Sequence, residues 1–182
     1  MNKLDILVVT GASGVGKTAA VRCLETRQRA DIRCFYFDSI GVPSTDIMQI
    51  EFGEGEGWQA HATRQWISRL AIDDLRGYVS VLDGQTRPSF VRSAAARFPS
   101  AHFRIVLLDC DPGVRRVRVG KRGQPELATA QMDMWSAYLR GQADALELPV
   151  VDTTVLTVQE VANALEAQVD SFRREIGIVP GT

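Results

Sequence analysis

An eight-residue, glycine-rich segment near the amino terminus constrains the fold of this chain more than any other feature. Residues 11–18 read Gly-Ala-Ser-Gly-Val-Gly-Lys-Thr, which matches the pattern G-x-x-x-x-G-K-[ST]. The largely apolar residues 4–9 precede it and predict a buried strand, and helical spacing runs from residue 17 to about residue 27. Because the segment joins a buried strand to the amino terminus of a helix, it has the context in which this pattern binds phosphate groups.

Each residue of this phosphate-binding loop (the P-loop) has an expected role. The glycines let successive backbone N–H groups curve around an anion, and the helix amino terminus adds a partial positive charge. We expect Lys17 to reach the β- and γ-phosphates of a nucleoside triphosphate and the Thr18 hydroxyl to bind Mg²⁺. The predicted nucleotide-binding residues of the loop are Gly11, Ala12, Ser13, Gly14, Val15, Gly16, Lys17 and Thr18.

Strands and helices alternate along the rest of the chain. Apolar runs predict four further strands, at residues 33–37, 78–82, 102–108 and 148–151. Helical patterns are found at residues 58–76, 88–98, 112–122 and 126–145, and a last helix begins with the capping box of Thr157 and Glu160. This alternation predicts an α/β fold of three layers, α/β/α, with a five-stranded parallel sheet. We expect residues 1–182 to form a single domain.

Residues 41–57 interrupt this alternation. They include five glycines or prolines and show no periodicity, which predicts a long irregular segment. Long loops in compact domains are commonly functional segments, such as binding loops. We therefore expect this part of the chain to contribute to a binding site.

Charge and composition narrow the possible partners and location. The net charge is −1, from 21 basic and 22 acidic residues, so no overall basic field attracts nucleic acid or an anionic membrane. No apolar run approaches the ~18 residues that span a bilayer. The three cysteines have no C-x-x-C spacing, which favours free thiols in a reducing compartment. We expect a cytoplasmic protein that binds neither nucleic acid nor membranes.

Asp83 is the second chemical signal. It stands at the carboxyl end of the third predicted strand, where P-loop proteins place an acidic residue that holds the Mg²⁺ shell. That contact is commonly made through water. We therefore predict Thr18 and Asp83 as the magnesium-binding residues.

The residues around Asp83 resemble a segment of known kinases. Residues 82–87 read Leu-Asp-Gly-Gln-Thr-Arg, similar to the Leu-Asp-Gly-Phe-Pro-Arg segment of adenylate and other nucleoside monophosphate kinases. The resemblance implies that Arg87 contacts the acceptor. Gln85 and Thr86 depart from the family pattern. The Thr-Gly-Asp-x-x-Arg motif that those kinases carry after the second strand is absent, which disfavours a nucleotide as the acceptor.

The residues after the second strand resemble a different group of P-loop kinases. Asp38 and Ser39 look like the strand-end Asp-Ser of chloramphenicol phosphotransferases, and shikimate and gluconate kinases similarly place an acid near this point. The resemblance implies that Asp38 orients the acceptor hydroxyl and can accept its proton. Residues 38–66 then form the acceptor-binding segment, in which Trp58 and Arg64 offer stacking and polar contacts. Three glutamates make this segment acidic, which disfavours a highly anionic acceptor: Glu51, Glu54 and Glu56.

An arginine stripe follows the fourth predicted strand. Arg115, Arg118 and Arg122 stand at positions i, i+3 and i+7, which places them on one helix face. In the kinases that this chain resembles, this helix is part of a lid, here residues 115–126, that brings cations to the transferring phosphoryl group. The resemblance implies catalytic roles for Arg118 and Arg122. The same spacing also fits a solvated basic face.

The resemblance further implies that Asp152 and Thr153, after the fifth strand, bind the nucleotide. Together these features predict an ATP- and Mg²⁺-dependent kinase that moves the γ-phosphate to a small-molecule acceptor, at a hydroxyl group. Its predicted catalytic residues are Lys17, Asp38, Arg118 and Arg122. Two alternatives stay open, a nucleoside monophosphate kinase and a P-loop ATPase or nucleotide-binding regulatory protein without kinase activity. The sequence specifies neither the acceptor nor the oligomeric state.

Overall fold

Five parallel strands form one sheet in the computed structural model, which describes residues 4–72 and 77–176. The strands are β1 (Leu4–Thr10), β2 (Ile32–Tyr36), β3 (Val79–Asp83), β4 (Ala101–Asp109) and β5 (Val150–Asp152). Their order across the sheet is β2-β3-β1-β4-β5, and every neighbouring pair is parallel. β5 lies at an edge, which agrees with the preference of Pro149 for edge positions.

Helices follow the strands in the described part of the chain. The α-helices are α1 (Lys17–Thr26), α2 (Thr45–Phe52), α3 (Gly55–Ile72), α4 (Pro88–Ala95), α5 (Pro112–Lys121), α6 (Ala130–Ala145) and α7 (Val158–Glu175). Two 3-10 turns, Phe37–Ile40 and Pro125–Leu127, follow β2 and α5. Among the helices of the described residues, none has the length and apolar character needed to cross a bilayer.

Alternating side chains of the strands bury both faces of the sheet. On β1, Leu7 and Val9 pack into one core, which α1 and α7 cover. Ile6 and Val8 point to the opposite face and pack beneath α3 and α4. α6 packs Leu139 and Ala143 against Leu107 of β4. The predicted three-layer α/β/α fold with a five-stranded parallel sheet is therefore confirmed.

Two segments differ from the sequence-based prediction. The prediction that residues 41–57 are irregular was wrong, because they contain α2 and the first residues of α3. Ser44 caps α2 by accepting a hydrogen bond from the N–H of Ile47. The helix predicted from residue 126 begins instead at Ala130, after the 3-10 turn and the N-cap residue Thr129. The end predicted for the helix near residue 76 lies outside the described residues.

Leu165 provides a test of this packing, because it is fully buried between α7 and the sheet. We expect Leu165→Ala to lower the free energy of unfolding by about 2–5 kcal/mol, since it removes buried apolar contacts and leaves a cavity. Ile50 on α2 is 83% exposed and offers the control. We expect Ile50→Ala to change stability by less than about 0.5 kcal/mol. Urea unfolding measures both, and similar losses in the two variants would contradict the packing described.

Candidate active site

At two positions of the P-loop, close contacts leave no space for a side chain. Gly14 has a φ of +90°, and a Cβ added there would lie 2.7 Å from Cγ1 of Val119 on α5. A Cβ on Gly11 would lie 2.3 Å from the carbonyl oxygen of Leu108. The loop is therefore held between β4 and α5 at distances that exclude any side chain. Within the described residues, no side chain caps the first turn of α1, so its N–H groups are available to an anion.

Lys17 folds back over this loop. Its Nζ donates hydrogen bonds to the carbonyl oxygens of Gly11, at 2.8 Å, and Ala12, at 3.1 Å. Burial lowers the pKa of Lys17, the carboxylates of Asp83 and Asp38 oppose that effect, and the charge of Arg122 adds to it. The charges of these three side chains therefore act on the Lys17 ammonium group.

Thr18 and Asp83 form a close pair beside Lys17. The Thr18 hydroxyl donates a hydrogen bond of 2.5 Å to Oδ2 of Asp83. Burial raises the pKa of Asp83, and the charge of Lys17 and the hydrogen bond from Thr18 oppose this rise. A buried carboxylate next to a hydroxyl is the hard oxygen donor set that Mg²⁺ prefers, and Mg²⁺ in phosphoryl-transfer sites takes its remaining ligands from water and phosphate. The two residues thus fit a magnesium ion that is bound together with a nucleotide.

A cavity of about 1050 Å³ opens over this pair and the P-loop. It lies at the carboxyl ends of the strands, where ligands bind in open α/β sheets. Most of the predicted nucleotide-binding and catalytic residues line it together: Ser13, Gly14, Val15, Gly16, Lys17, Thr18, Asp38, Asp83, Arg118, Arg122 and Thr153. Asp38 is exposed in the 3-10 turn after β2, so its carboxylate is open to a bound molecule.

The three arginines of the stripe have three different environments. Arg118 donates to the hydroxyl of Thr153, at 2.9 Å, and to its carbonyl oxygen, at 2.6 Å. The Thr153 hydroxyl in turn donates to the carbonyl oxygen of Val15 in the P-loop, at 2.8 Å. Arg122 follows α5, is exposed and lines the cavity. Arg118 is thus tied to the loop through Thr153, whereas Arg122 faces the open cavity.

Arg115 is a supporting residue whose role the spacing of the stripe did not reveal. It is fully buried and forms an ion pair with Asp133 on α6. Its Nη1 also lies 3.3 Å from the carbonyl oxygen of Leu127 and 3.5 Å from that of Ser13. Arg115 therefore connects the P-loop, the turn after α5 and α6.

Besides Gly11 and Ala12 at the start of the P-loop, four predicted binding residues lie outside the cavity lining. Arg87 donates to Gln59 and Glu56 of α3, both at 2.7 Å, and its guanidinium carbon is 4.7 Å from the ring centroid of Trp135. Trp58 packs against the rings of Phe52 and His61, and Arg64 is exposed on α3. Asp152 accepts hydrogen bonds from the N–H and hydroxyl of Thr154. The acceptor and nucleotide contacts expected of these four residues stay predictions.

The cavity also has lining residues that the sequence reasoning missed. Arg22, Tyr36 and Ser39 line it on the side of Asp38. The signal for Arg22 was available, because a residue four positions after Thr18 lies on the same face of a helix. Tyr36 precedes the 3-10 turn that holds Asp38 and Ser39. No motif marks Tyr36, whereas Ser39 belongs to the Asp-Ser pair that resembles the chloramphenicol phosphotransferases.

Solved structures share this architecture. A tunicamycin resistance protein from Deinococcus radiodurans superposes with a TM-score of 0.62 at 18% identity, over 91% of this chain and 95% of that one. A gluconokinase from Sinorhizobium meliloti gives a TM-score of 0.60 at 16% identity, over 97% of each chain. A shikimate kinase from Acinetobacter baumannii, in complex with shikimate, gives 0.58 at 18% identity, over 93% and 95%. This chain has the fold of the P-loop kinases. At these identities the likeness concerns the fold alone.

Similar sequences include two proteins from Frankia and Parafrankia. A nucleotide-binding protein of Frankia casuarinae is 30% identical over 200 aligned positions, and one of a Parafrankia species is 29% identical over 199. Each alignment covers 96% of this chain and 61% of the relative, so the chain spans about three fifths of their length. No family model matches the sequence.

Gly14→Ala tests whether the loop needs its close contact with α5. The added Cβ would meet Val119 and Arg115 and force an unfavourable φ, so we expect the free energy of unfolding to fall by about 1–3 kcal/mol. Affinity for MgADP should fall as well, because the N–H groups of the loop would be displaced. Calorimetric titration and thermal unfolding measure the two effects.

Gly120→Ala is the matched control. Gly120 lies within α5, and an added Cβ would have none of the described atoms within 4 Å. We expect this variant to gain up to about 1 kcal/mol in stability, because alanine is the better helix former. Equal destabilisation by both substitutions would contradict a specific contact at Gly14.

Proposed function

We propose that this protein is an ATP- and Mg²⁺-dependent phosphotransferase that moves the γ-phosphate to a hydroxyl group of a small molecule. The observation that carries the proposal is one cavity in which the P-loop, the Thr18–Asp83 pair and the Asp38 carboxylate are lining groups. Asp38 lines the same cavity as Lys17 and Asp83, and its charge acts on both of them. The phosphate-binding end of the cavity and the carboxylate proposed to orient the acceptor hydroxyl are therefore adjacent.

The nucleotide end of the cavity has the donors that a triphosphate requires. The loop N–H groups and the α1 amino terminus offer hydrogen bonds and a partial positive charge. Lys17 exchanges its two carbonyl partners for the β- and γ-phosphate oxygens, which restores a full countercharge to its buried ammonium group. Leu156, Val158 and Val161 add apolar lining beyond Thr153, which suits a nucleobase. The names of the Frankia and Parafrankia relatives support nucleotide binding.

Thr18 and Asp83 are the residues that would hold Mg²⁺, Thr18 through its hydroxyl and Asp83 through water. When bound, the ion offsets the negative charge of the β- and γ-phosphate oxygens. The buried carboxylate of Asp83 then faces a cation, which favours its ionised form.

The proposed reaction exchanges one oxygen–phosphorus bond for another. The acceptor oxygen forms a bond to the γ-phosphorus while the bond between that phosphorus and the β,γ-bridging oxygen of ATP breaks, which releases ADP. The proton of the acceptor hydroxyl passes to the Asp38 carboxylate. Because the transition state is loose, the main contribution of Asp38 is to orient the hydroxyl. Arg118 and Arg122 stabilise the charge on the transferring oxygens from the lid side of the cavity.

A second candidate function is nucleotide hydrolysis or nucleotide-dependent regulation without an acceptor. It is favoured by the relatives, which are named only as nucleotide-binding proteins and are longer than this chain. For a nucleoside monophosphate kinase the support is weaker, because Arg87, the residue expected to contact the acceptor phosphate, is bonded to Glu56 and Gln59 outside the cavity.

Lys17→Ala tests the donor half of the site. Without the ammonium group the β- and γ-phosphates lose their countercharge, so we expect ADP release to fall by at least about 100-fold. A coupled assay of ADP release measures the rate, and thermal unfolding checks that the variant is folded. Full activity in the folded variant would refute the assignment of the loop.

Asp38→Asn tests the acceptor half. The amide keeps the shape of the side chain but cannot take the proton, so we expect kcat to fall by about 10²- to 10⁴-fold. The Kd for ATP should stay nearly unchanged. Asp170→Asn on α7, a residue that pairs with Arg29 away from the cavity, is the matched control and should keep the kcat of the parent protein. Equal losses of kcat and ATP affinity in Asp38→Asn would count against a role toward the acceptor.

A further inference from the structure

Arg22 lines the cavity but belongs neither to the P-loop nor to the lid. The proposed function gives it no role. It lies on α1 one helical turn after Thr18, and it lines the cavity together with Tyr36, Asp38 and Ser39. Its ring partner Tyr36 comes two residues before Asp38, whereas the residues proposed to contact the nucleobase come from the segment after β5 and from α7. Arg22 therefore lies on the side on which the proposed function puts the acceptor.

The guanidinium of Arg22 is held by a ring rather than by a carboxylate. Its central carbon lies 5.8 Å from the ring centroid of Tyr36. The nearby carboxylate of Glu25 accepts a hydrogen bond of 2.7 Å from the Tyr36 hydroxyl, which fixes that ring. Within the part of the chain that the structure describes, Arg22 has no ion-pair partner, whereas Arg27 and Arg29 beyond the end of α1 both pair with Glu166.

An arginine whose partner is a ring rather than a carboxylate has N–H donors free for a ligand. The guanidinium edge carries five N–H donors in a planar fork, which matches the two oxygens of a carboxylate or phosphate. Arg22 is also close to the reaction centre, because it stands four residues after Thr18 on the same face of α1 and lines the same cavity as Asp38. A ligand anion on Arg22 would lie within reach of Asp38.

We propose that Arg22 binds an anionic group of the acceptor, so that the acceptor is a hydroxyl compound that carries a carboxylate or a phosphate. This inference rests on the proposed function and names the substrate class for the same cavity. Asp38 orients the hydroxyl, and Arg22 fixes the other end of the molecule by a charge-assisted pair of hydrogen bonds. The glutamates expected to disfavour such an acceptor do not line the cavity, and Glu56 is paired with Arg87.

The test offers hydroxyl compounds in matched forms and measures ADP release. Each set contains a neutral polyol, the corresponding hydroxy acid and the corresponding phosphate ester, for example glycerol, glycerate and glycerol 3-phosphate. We expect anionic members to stimulate ADP release and their neutral counterparts to have no effect. The hydroxy-acid and phosphate arms distinguish the two kinds of anion.

Two variants assign any preference to Arg22. With the best anionic acceptor, Arg22→Gln should raise the KM for the acceptor by about 10- to 100-fold, the usual effect of losing a charged hydrogen-bond partner. The KM for ATP should change less than about twofold, and Arg22→Lys should restore part of the acceptor affinity because it restores the charge. Arg97→Gln removes an exposed arginine outside the cavity and is the matched control.

The possible outcomes separate this inference from the proposed function. Phosphorylation of neutral acceptors with an unchanged acceptor KM in Arg22→Gln would overturn the inference and leave the phosphotransferase intact. An equal rise in the KM values for ATP and for the acceptor would assign Arg22 to the nucleotide and also overturn it. If no member of any set stimulates ADP release although MgATP binds, the proposed function fails and the inference fails with it.

Discussion

The close packing of the P-loop against its neighbours is the constraint on which the rest of the site depends. Gly14 leaves no space for a Cβ beside Val119, and Gly11 none beside the carbonyl oxygen of Leu108. The Thr153 hydroxyl holds the carbonyl oxygen of Val15 from the opposite side. Because the loop is fixed by β4, α5 and the segment after β5, its N–H groups are arranged before any phosphate arrives. Such preorganisation lowers the cost of binding and of charge stabilisation.

The same packing explains why the three arginines of the stripe have different environments. Arg115 is buried and forms an ion pair with Asp133 on α6. It also contacts the carbonyl oxygen of Ser13, so it connects the P-loop to α6. Arg118 is fixed through Thr153, and Arg122 is open to the cavity. Helix α5 and the residue that follows it thus supply a buried supporting arginine, a hydrogen-bonded arginine and an arginine open to the cavity. Together with Lys17 and Arg22, the last two arginines give the cavity a positive character that suits phosphate-bearing ligands.

Local patterns were sufficient to predict most of the fold. The apolar run that predicts β1 as a buried strand and the edge preference of Pro149 are properties of single segments, and both hold in the sheet. α2 was missed because its eight residues lie between glycines and a proline and are mostly exposed, so they show no apolar stripe. The start of α6 was misjudged because a 3-10 turn at Pro125 precedes the capped helix.

The placement of side chains in one cavity was predictable where a motif fixes both spacing and context, as in the P-loop and at Asp83. It was less predictable where the environment of a side chain depends on residues far along the chain. Nothing in residues 82–87 indicates that Glu56 and Gln59 bind Arg87, or that Asp133 pairs with Arg115. Arg22 was overlooked although its helical spacing from Thr18 is visible, because no motif includes it.

A crystal structure with Mg²⁺ and a non-hydrolysable ATP analogue tests the central claim most directly. We expect the β- and γ-phosphates to lie on the N–H groups of residues 14–18, with Mg²⁺ beside Thr18 and Asp83 and the Asp38 carboxylate facing the γ-phosphate. A triphosphate bound elsewhere, or an Asp38 side chain that points away from the γ-phosphate, would contradict it.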